Sequence, residues 1–320
     1  MAAGGYAWWY IDALSDDGEQ GITIIAFIGS VFSPYYAWAR RRARFGAADP
    51  LNHCAVNVAL YRRGGAKHWA MTERGRHQVQ RSATALTIGP SSLRWDDGAL
   101  VITLDEVTAP WCTRLRGEVR VTPAAIIDRS FALDALGLHR WRPIAPVARV
   151  EVRMSQPGVA WSGPGYVDSN SGRAPLESHF SRWDWSRAAL SGQRSAVLYD
   201  VTRRDGSEMS LALLFDAEGS EVGGGRPIEA APLQAFMPPP RATLPHTGWR
   251  VARHTRCDAG RTASVTRTLE DAPFYTRSQL STHLCGEPVS AVHESLSLAR
   301  FDTRWVQSLL PFRMPRVSGR

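Results

Sequence analysis

Short runs of β-branched and aromatic residues, each ended by a turn signal, constrain this chain more than any other feature of its 320 residues. In SLRWDDGALVITLDEV (92–107) and SAVLYDVTRRDGSEMSLALLF (195–215) an Asp-Gly pair separates two such runs. That is the pattern of a β-hairpin, because Asp and Gly accept the positive φ that tight turns between strands need. Strands do not alternate with long helical patterns, which sets aside a parallel sheet with crossover helices. Without GxGxxG after a strand or a GxxxxGK[ST] loop, the usual routes to NAD and ATP are missing too. The hydrophobic share of 44% can fill a sizeable core. The strand rhythm breaks at AEGSEVGGGRPIEAAPLQAFMPPPRATLPHTGW (217–249), where glycine and then proline clusters read as a linker. The chain is therefore expected to be all-β, with one β-barrel-like domain over residues 1–218 and a smaller one over 219–320.

The longest apolar run, ITIIAFIGSVF (22–32), is well short of the roughly 20 residues that span a bilayer. It is expected to form one or two buried strands, with no transmembrane helix in the chain. The start, MAAGGYAWWYIDAL, lacks the basic, apolar and small-residue segments of a secretory signal, which predicts a cytoplasmic location. The formal charge of +8 is carried by arginine, since Lys67 is the sole lysine, and it favours a partner of negative charge. No nucleic-acid-binding motif accompanies that charge, and the arginines are scattered except at RRRAR (40–44), so no nucleic acid is expected. An anionic membrane surface remains as a peripheral partner.

The C-terminal segment FDTRWVQSLLPFRMPR (301–316) offers Asp302 as a helix cap and Pro311 as a stop. It pairs Trp305 with Leu309 and Val306 with Leu310 at helical spacing. Packing on the barrel and contact with a membrane are both open for it. Cys54, Cys112, Cys257 and Cys285 show no CxxC spacing and are expected to be reduced, buried thiols, with no metal site.

One stretch, GPGYVDSNSGRAPLESHFSRWDWSR (163–187), crowds together Tyr166, Asp168, Asn170, His179, Trp183, Asp184 and Trp185. YVDSNSG alone is a strong turn signal, because Asp and Asn side chains bond their own backbone. In RWDWS, strand periodicity puts both tryptophans on one core-facing side and leaves Asp184 as a solvated or hydrogen-bonded residue opposite. His139 and Trp141 of GLHRWRPIAP share a face if that segment is a strand, and a lone histidine is commonly structural. HExxH and GxSxG are missing, so metal hydrolysis and serine acylation have no support. What is left is a carboxylic acid, a histidine, a tyrosine and many indoles. This inventory suits protonation of an electron-rich alkene, with aromatic faces stabilising the cation until water captures it. Burial would have to lift an aspartic acid from about 3.9 toward 6 or 7, roughly 3 to 4 kcal/mol of differential solvation. Each well-placed indole returns up to about 2 kcal/mol to a desolvated cation.

GGYAWWYIDALSDDGEQGITIIAFIGSVFSPYYAWARRRARFGAADPLNHCAVNVALY, RWRPIAPVARVEV and the 163–187 stretch together resemble the bacterial acyclic carotenoid 1,2-hydratases, also called hydroxyneurosporene synthases. The likeness extends over nearly the whole chain. Family members usually carry further residues before the first stretch, whereas only MAAG precedes Gly5, so the first strand is expected to have less support.

The resemblance implies two lipocalin-like β-barrel domains packed together, with the site in the first. It also implies a cofactor-independent hydro-lyase that adds water to the terminal double bond of acyclic carotenes such as neurosporene or lycopene, giving 1-hydroxy products in carotenoid biosynthesis. It carries function onto His139, Trp141, Tyr166 and Asp168. Asp168 becomes the proton donor, Trp141 and Tyr166 line the cationic end, and His139 orients Asp168 or the water. A carotenoid or lipid carrier with the same barrels, and a polyene cyclase or isomerase that keeps water from the cation, are the rival expectations.

Overall fold

The computed structural model describes residues 2–42, 48–217 and 233–317. Contacts divide them into two units, residues 2–175 with 308–317 and residues 176–217 with 233–307. In the first unit the chain runs through β1 (Tyr6–Leu14), β2 (Gln20–Ile28), α1 (Pro34–Arg42), β3 (Cys54–Arg62) and β4 (His68–Arg74). It continues with β5 (Val79–Arg81), β6 (Ala85–Ile88), β7 (Ser91–Asp96), β8 (Ala99–Val107), β9 (Arg114–Pro123), β10 (Phe131–Ala132), β11 (His139–Gln156) and β12 (Val159–Gly172). The second unit holds α2 (Leu176–His179), β13 (Phe180–Leu190), β14 (Arg194–Arg203), β15 (Glu208–Asp216), β16 (Leu233–Ala235), β17 (Arg241–Leu244) and β18 (Arg253–Arg256). It goes on with β19 (Ser264–Asp271), β20 (Tyr275–Leu284), β21 (Glu287–Ser297) and α3 (Leu298–Phe301). The chain then runs through α4 (Arg304–Arg313) and returns to the first sheet with β22 (Arg316–Val317).

The first sheet has 13 strands among the described residues, ordered β22-β4-β3-β2-β1-β12-β11-β9-β8-β7-β6-β5 with β10 beside β11. It curls like an open half-barrel. Arg74 at the end of β4 donates to Glu106 of β8 at 2.7 Å, and strands from both halves of the sheet bury one shared apolar cluster that includes Ile11, Ile24, Val56, Ile102, Val119 and Val150. Each of these fully buried aliphatic side chains is worth roughly 1.5 to 3 kcal/mol, so this face of the sheet is the stabilising one. The all-β, lipocalin-like class expected from the sequence holds, with a sheet that curls without closing.

Both expected hairpins form. Asp97 (φ 47°) and Gly98 (φ 73°) make the two-residue turn between β7 and β8, with Asp96 opposite Ala99. Gly206 (φ 85°) serves the turn between β14 and β15. Residues 22–28 of the apolar run belong to β2, and the run is buried up to Val31, with Phe32 half-buried.

Five features differ from the sequence expectations, the first being that YVDSNSG (166–172), a turn signal in the sequence, is part of strand β12. The contacts divide after Pro175 and not at 218/219, because β13 pairs with β21 and so draws β13–β16 into one seven-stranded sheet with β19–β21. Residues 218–232 of the expected linker lie outside the described residues. Helix α4 starts after Thr303, whose carbonyl accepts from Gln307 N, so Asp302 is not its cap. The helix also passes through Pro311, which costs it one backbone donor in the last turn without ending it. Among the cysteines, all free, Cys54 and Cys257 are buried as expected, Cys285 is half-buried and Cys112 is exposed.

Candidate active site

Three neighbouring strands build the candidate site, because their registers bring alternate residues to one face. Tyr10 lies opposite Asp168 and Asp12 opposite Tyr166 across β1 and β12, while Trp141 and Pro143 of β11 lie opposite Asn170 and Asp168. Period-two alternation then sets Tyr6, Trp8, Tyr10 and Asp12, with Tyr166, Asp168 and Asn170 and with His139 and Trp141, on the face away from the apolar cluster. The cluster takes the alternate residues Ile11 and Val167, and also Ala145, which the register shift after Pro143 sets opposite Val167.

Asp168 is 4% exposed, and both Trp141 and Tyr166 are fully buried. The Trp141 indole Nε1–H donates to Asp168 Oδ2 at 2.8 Å, and the Tyr166 hydroxyl donates to the same oxygen at 2.9 Å. Trp141 reaches it diagonally, from two residues along β12, and Tyr166 from the i−2 position on the same strand. Burial opposes a charge on this carboxyl group while the two donors favour it. Phe131 packs on Trp141 with ring centroids 5.5 Å apart, and Tyr10 meets Tyr166 edge-on at 6.3 Å.

His139 occupies a different row. It lies opposite Gly172, which in turn lies opposite Tyr6, and Tyr6 Oη and His139 Nδ1 are 2.9 Å apart. A Cβ on Gly172 would stand 2.4 Å from the Tyr6 ring and 2.8 Å from His139 Nδ1, so only glycine lets these side chains meet. Four residues separate Gly172 from Asp168, about 13 Å at strand rise. The expected role of orienting Asp168 therefore does not fit His139, whose hydrogen bond at Nδ1 goes to Tyr6. Its backbone is fixed by Asp134, whose Oδ2 accepts from His139 N at 2.7 Å. Burial tends to raise the Asp134 carboxyl group, but donation from the backbone N–H groups of His139, Leu138 and Leu136 prevails and holds it below the ordinary carboxylate range.

A family profile of carotenoid hydratase, CrtC, matches residues 24–320. The chain belongs to the carotenoid hydratase family. The acyclic carotenoid 1,2-hydratase of Thiocapsa roseopersicina is 56% identical over 320 residues, covering 100% of this chain and 75% of that protein. The enzyme of the same name from Rubrivivax gelatinosus is 48% identical over 313 residues, 98% of this chain and 74% of that protein. A crystal structure of a protein described as AttH from Nitrosomonas europaea shares the fold with a TM-score of 0.59 at 14% identity, covering 91% of this chain and 92% of that one.

Within this carotenoid hydratase family member, Tyr166, Asp168 and Asn170 from the 163–187 stretch join Trp141 on one face. The rest of the stretch does not join them. His179, Trp183, Asp184 and Trp185 belong to the second unit. There Trp183 and Trp185 are core residues on one side of β13, with the Trp183 and Tyr199 rings 5.1 Å apart. Asp184, 7% exposed, takes the hydrogen-bonded alternative, accepting from Arg182 Nε at 2.7 Å and from the Ser295 hydroxyl. His293 extends this network, with Nε2 3.0 Å from Ser295 Oγ and Nδ1 2.8 Å from Ser186 Oγ.

Sequence reasoning missed Tyr6, Tyr10, Asp12 and Phe131. The signal was present in the alternation of Tyr6, Trp8, Tyr10 and Asp12, which already places polar aromatic residues and an acid on one face of a strand. An apolar cleft of about 110 Å³ lies on the opposite side of the same strands, lined by Trp9, Ile144, Val167, Leu86 and Trp95 among others. It is smaller than the roughly 300 Å³ at the lower end of ligand pockets. Because Val167 and Asp168 point to opposite faces, the cleft is not where the acid can act. Among the described residues no group of three or more His, Cys, Asp or Glu side chains is placed to hold a metal ion.

Proposed function

We propose that this chain hydrates the terminal double bond of an acyclic carotene, with Asp168 as the proton donor. Membership in the family makes it a hydro-lyase, and the names of its relatives support the carotene as substrate. The observation that carries the residue assignment is the convergence of two donors on one buried oxygen of Asp168. In protonated Asp168, Oδ2 serves as the acceptor and Oδ1 carries the proton. Transfer of that proton breaks the π bond, forms a C–H bond and leaves a tertiary carbocation. The negative charge that develops on the carboxyl group meets Trp141 and Tyr166 already in position, with no reorganisation at the moment of transfer. The rings of Tyr10, Trp141 and Tyr166 offer negative faces to the cation. Water then adds to the cation and gives up a proton, so the sum is alkene plus water to alcohol, with no other reagent. His139 and Tyr6 act further along the same face, as a fixed wall for the extended chain.

Asp168→Asn keeps the shape and both donors' acceptor but has no acidic proton. It is expected to lose hydration by at least about a hundredfold while still binding carotene. Turnover like that of the wild type would overturn the assignment.

The reading also includes peripheral contact with an anionic bilayer, where such a substrate dissolves. No described helix is long and apolar enough to cross a membrane. Helix α4 presents Trp305, Leu309 and Phe312 at i, i+4 and i+7, respectively 45%, 42% and 77% exposed, and Val306 and Leu310 on the buried side. Arginines stand at both its ends and no acidic residue lies within it. In α1, Arg41 is exposed, Arg42 lies over the exposed Trp38 ring at 4.0 Å, and Arg40 packs on Tyr36 at 4.6 Å. Arg44 lies outside the described residues. Aromatic and aliphatic side chains beside arginine are the chemistry of an interfacial helix.

A further inference from the structure

Asp12 is the second buried carboxylate of this face. It is 1% exposed, and it lies opposite Tyr166 just as Tyr10 lies opposite Asp168. The two antiparallel strands thus carry mirrored pairs: Tyr10 Oη donates to Asp12 Oδ2 at 3.0 Å, and Tyr166 Oη donates to Asp168 Oδ2 at 2.9 Å. The two tyrosine rings meet edge-on. As diagonal cross-strand neighbours, Asp12 and Asp168 have Cα atoms roughly 7 to 8 Å apart. The two acids thus stand one diagonal cross-strand step apart on the same face of the sheet.

We infer that Asp12 is the catalytic base that takes the proton from the water captured by the carbocation, which rests on the assignment of Asp168 as the acid. The C–O bond forms as the O–H bond of the water breaks, and that proton moves to an Asp12 carboxylate oxygen. Asp12 then returns it through water to the Asp168 carboxylate, so both groups are restored and one water is consumed. Tyr10 holds Asp12 as Tyr166 holds Asp168. The hydrogen bonds fit this division of labour: Trp141 and Tyr166 donate to Asp168 and meet the charge it acquires in the first step, and Tyr10 holds Asp12 on the same face.

The experiment uses the purified 320-residue chain with lycopene dispersed in detergent in D₂O, and reads hydrated product and deuterium in recovered lycopene separately. Asp168→Asn is expected to give neither. Asp12→Asn is expected to hydrate at least about a hundredfold more slowly, yet still to place deuterium in recovered substrate, because the cation forms and reverts by losing a proton. Tyr10→Phe, which leaves both carboxyl groups in place, should also lower hydration more than exchange. It carries the test if Asp12→Asn does not fold. Hydration by a folded Asp12→Asn within about threefold of wild type, with Asp168→Asn inactive, would overturn the role of Asp12 alone. Equal loss of exchange and hydration in both Asp12→Asn and Tyr10→Phe would make Asp12 structural and overturn it as well. Exchange that survives in Asp168→Asn and vanishes in Asp12→Asn would reverse the two roles and overturn both readings.

Discussion

Gly172 governs how closely Tyr6 and His139 approach, since its missing side chain is the space in which they meet. Gly172→Ala is expected to cost about 1 to 3 kcal/mol, because a methyl group 2.4 Å from an aromatic ring forces two buried side chains aside. Tyr6→Phe should cost only about 1 kcal/mol, the value of one hydrogen bond. Urea denaturation of the two variants checks this, and a Gly172→Ala protein as stable as wild type would contradict the close packing. The family resemblance singled out Trp141 and also Tyr166 and Asp168, whose local motif alone reads as a turn. It did not reveal which hydroxyl or indole reaches which oxygen, nor that His139 turns to Tyr6, because those meetings depend on the register between strands far apart in the chain. The aspartates show the same limit. Asp184 sits in an equally aromatic stretch, but the hydrogen bonds from Arg182 and Ser295 tie it to the second unit.

Turn chemistry made the elements legible. Asp97-Gly98 and Gly206 specify their hairpins through backbone conformations that few other residues adopt cheaply. The division between units was not legible, because it depends on pairing β13 with β21, strands whose hydrogen-bonded residues Asp184 and Ser295 are 111 positions apart. Proline and glycine clusters mark a break in rhythm, but they do not say which side of the break a strand pairs with. Helix α4 carries the prediction at this scale. The double variant Leu309→Gln/Phe312→Gln should sediment with phosphatidylglycerol-containing vesicles at least about tenfold more weakly than wild type, since two exposed apolar side chains are lost from the docking face. Added salt should weaken wild-type binding further by screening the arginines. Equal sedimentation of wild type and variant, or none with either, would count against docking through this face.

Across the whole molecule the second unit contributes a pH dependence of its own. Full burial pushes the His293 imidazole down to about 4, against the weaker opposing effect of Asp184. The folded chain therefore keeps His293 neutral, while the unfolded chain protonates it near 6.5. Its contribution is fully present above about pH 6.5 and is lost as pH falls toward 4, a change on the order of 3 kcal/mol. Unfolding midpoints in urea across that range should fall less steeply for His293→Asn than for wild type, and parallel curves would contradict the assignment. The proposed reaction needs only an acidic proton from Asp168 and a molecule of water. Its most direct test is mass spectrometry of the product that purified chain forms from lycopene in ¹⁸O-labelled water, with Asp168→Asn beside it. Wild type should yield a 1-hydroxy product carrying one ¹⁸O and Asp168→Asn should yield none; an unlabelled or cyclised product from wild type, or labelled alcohol from Asp168→Asn at the wild-type rate, would contradict it.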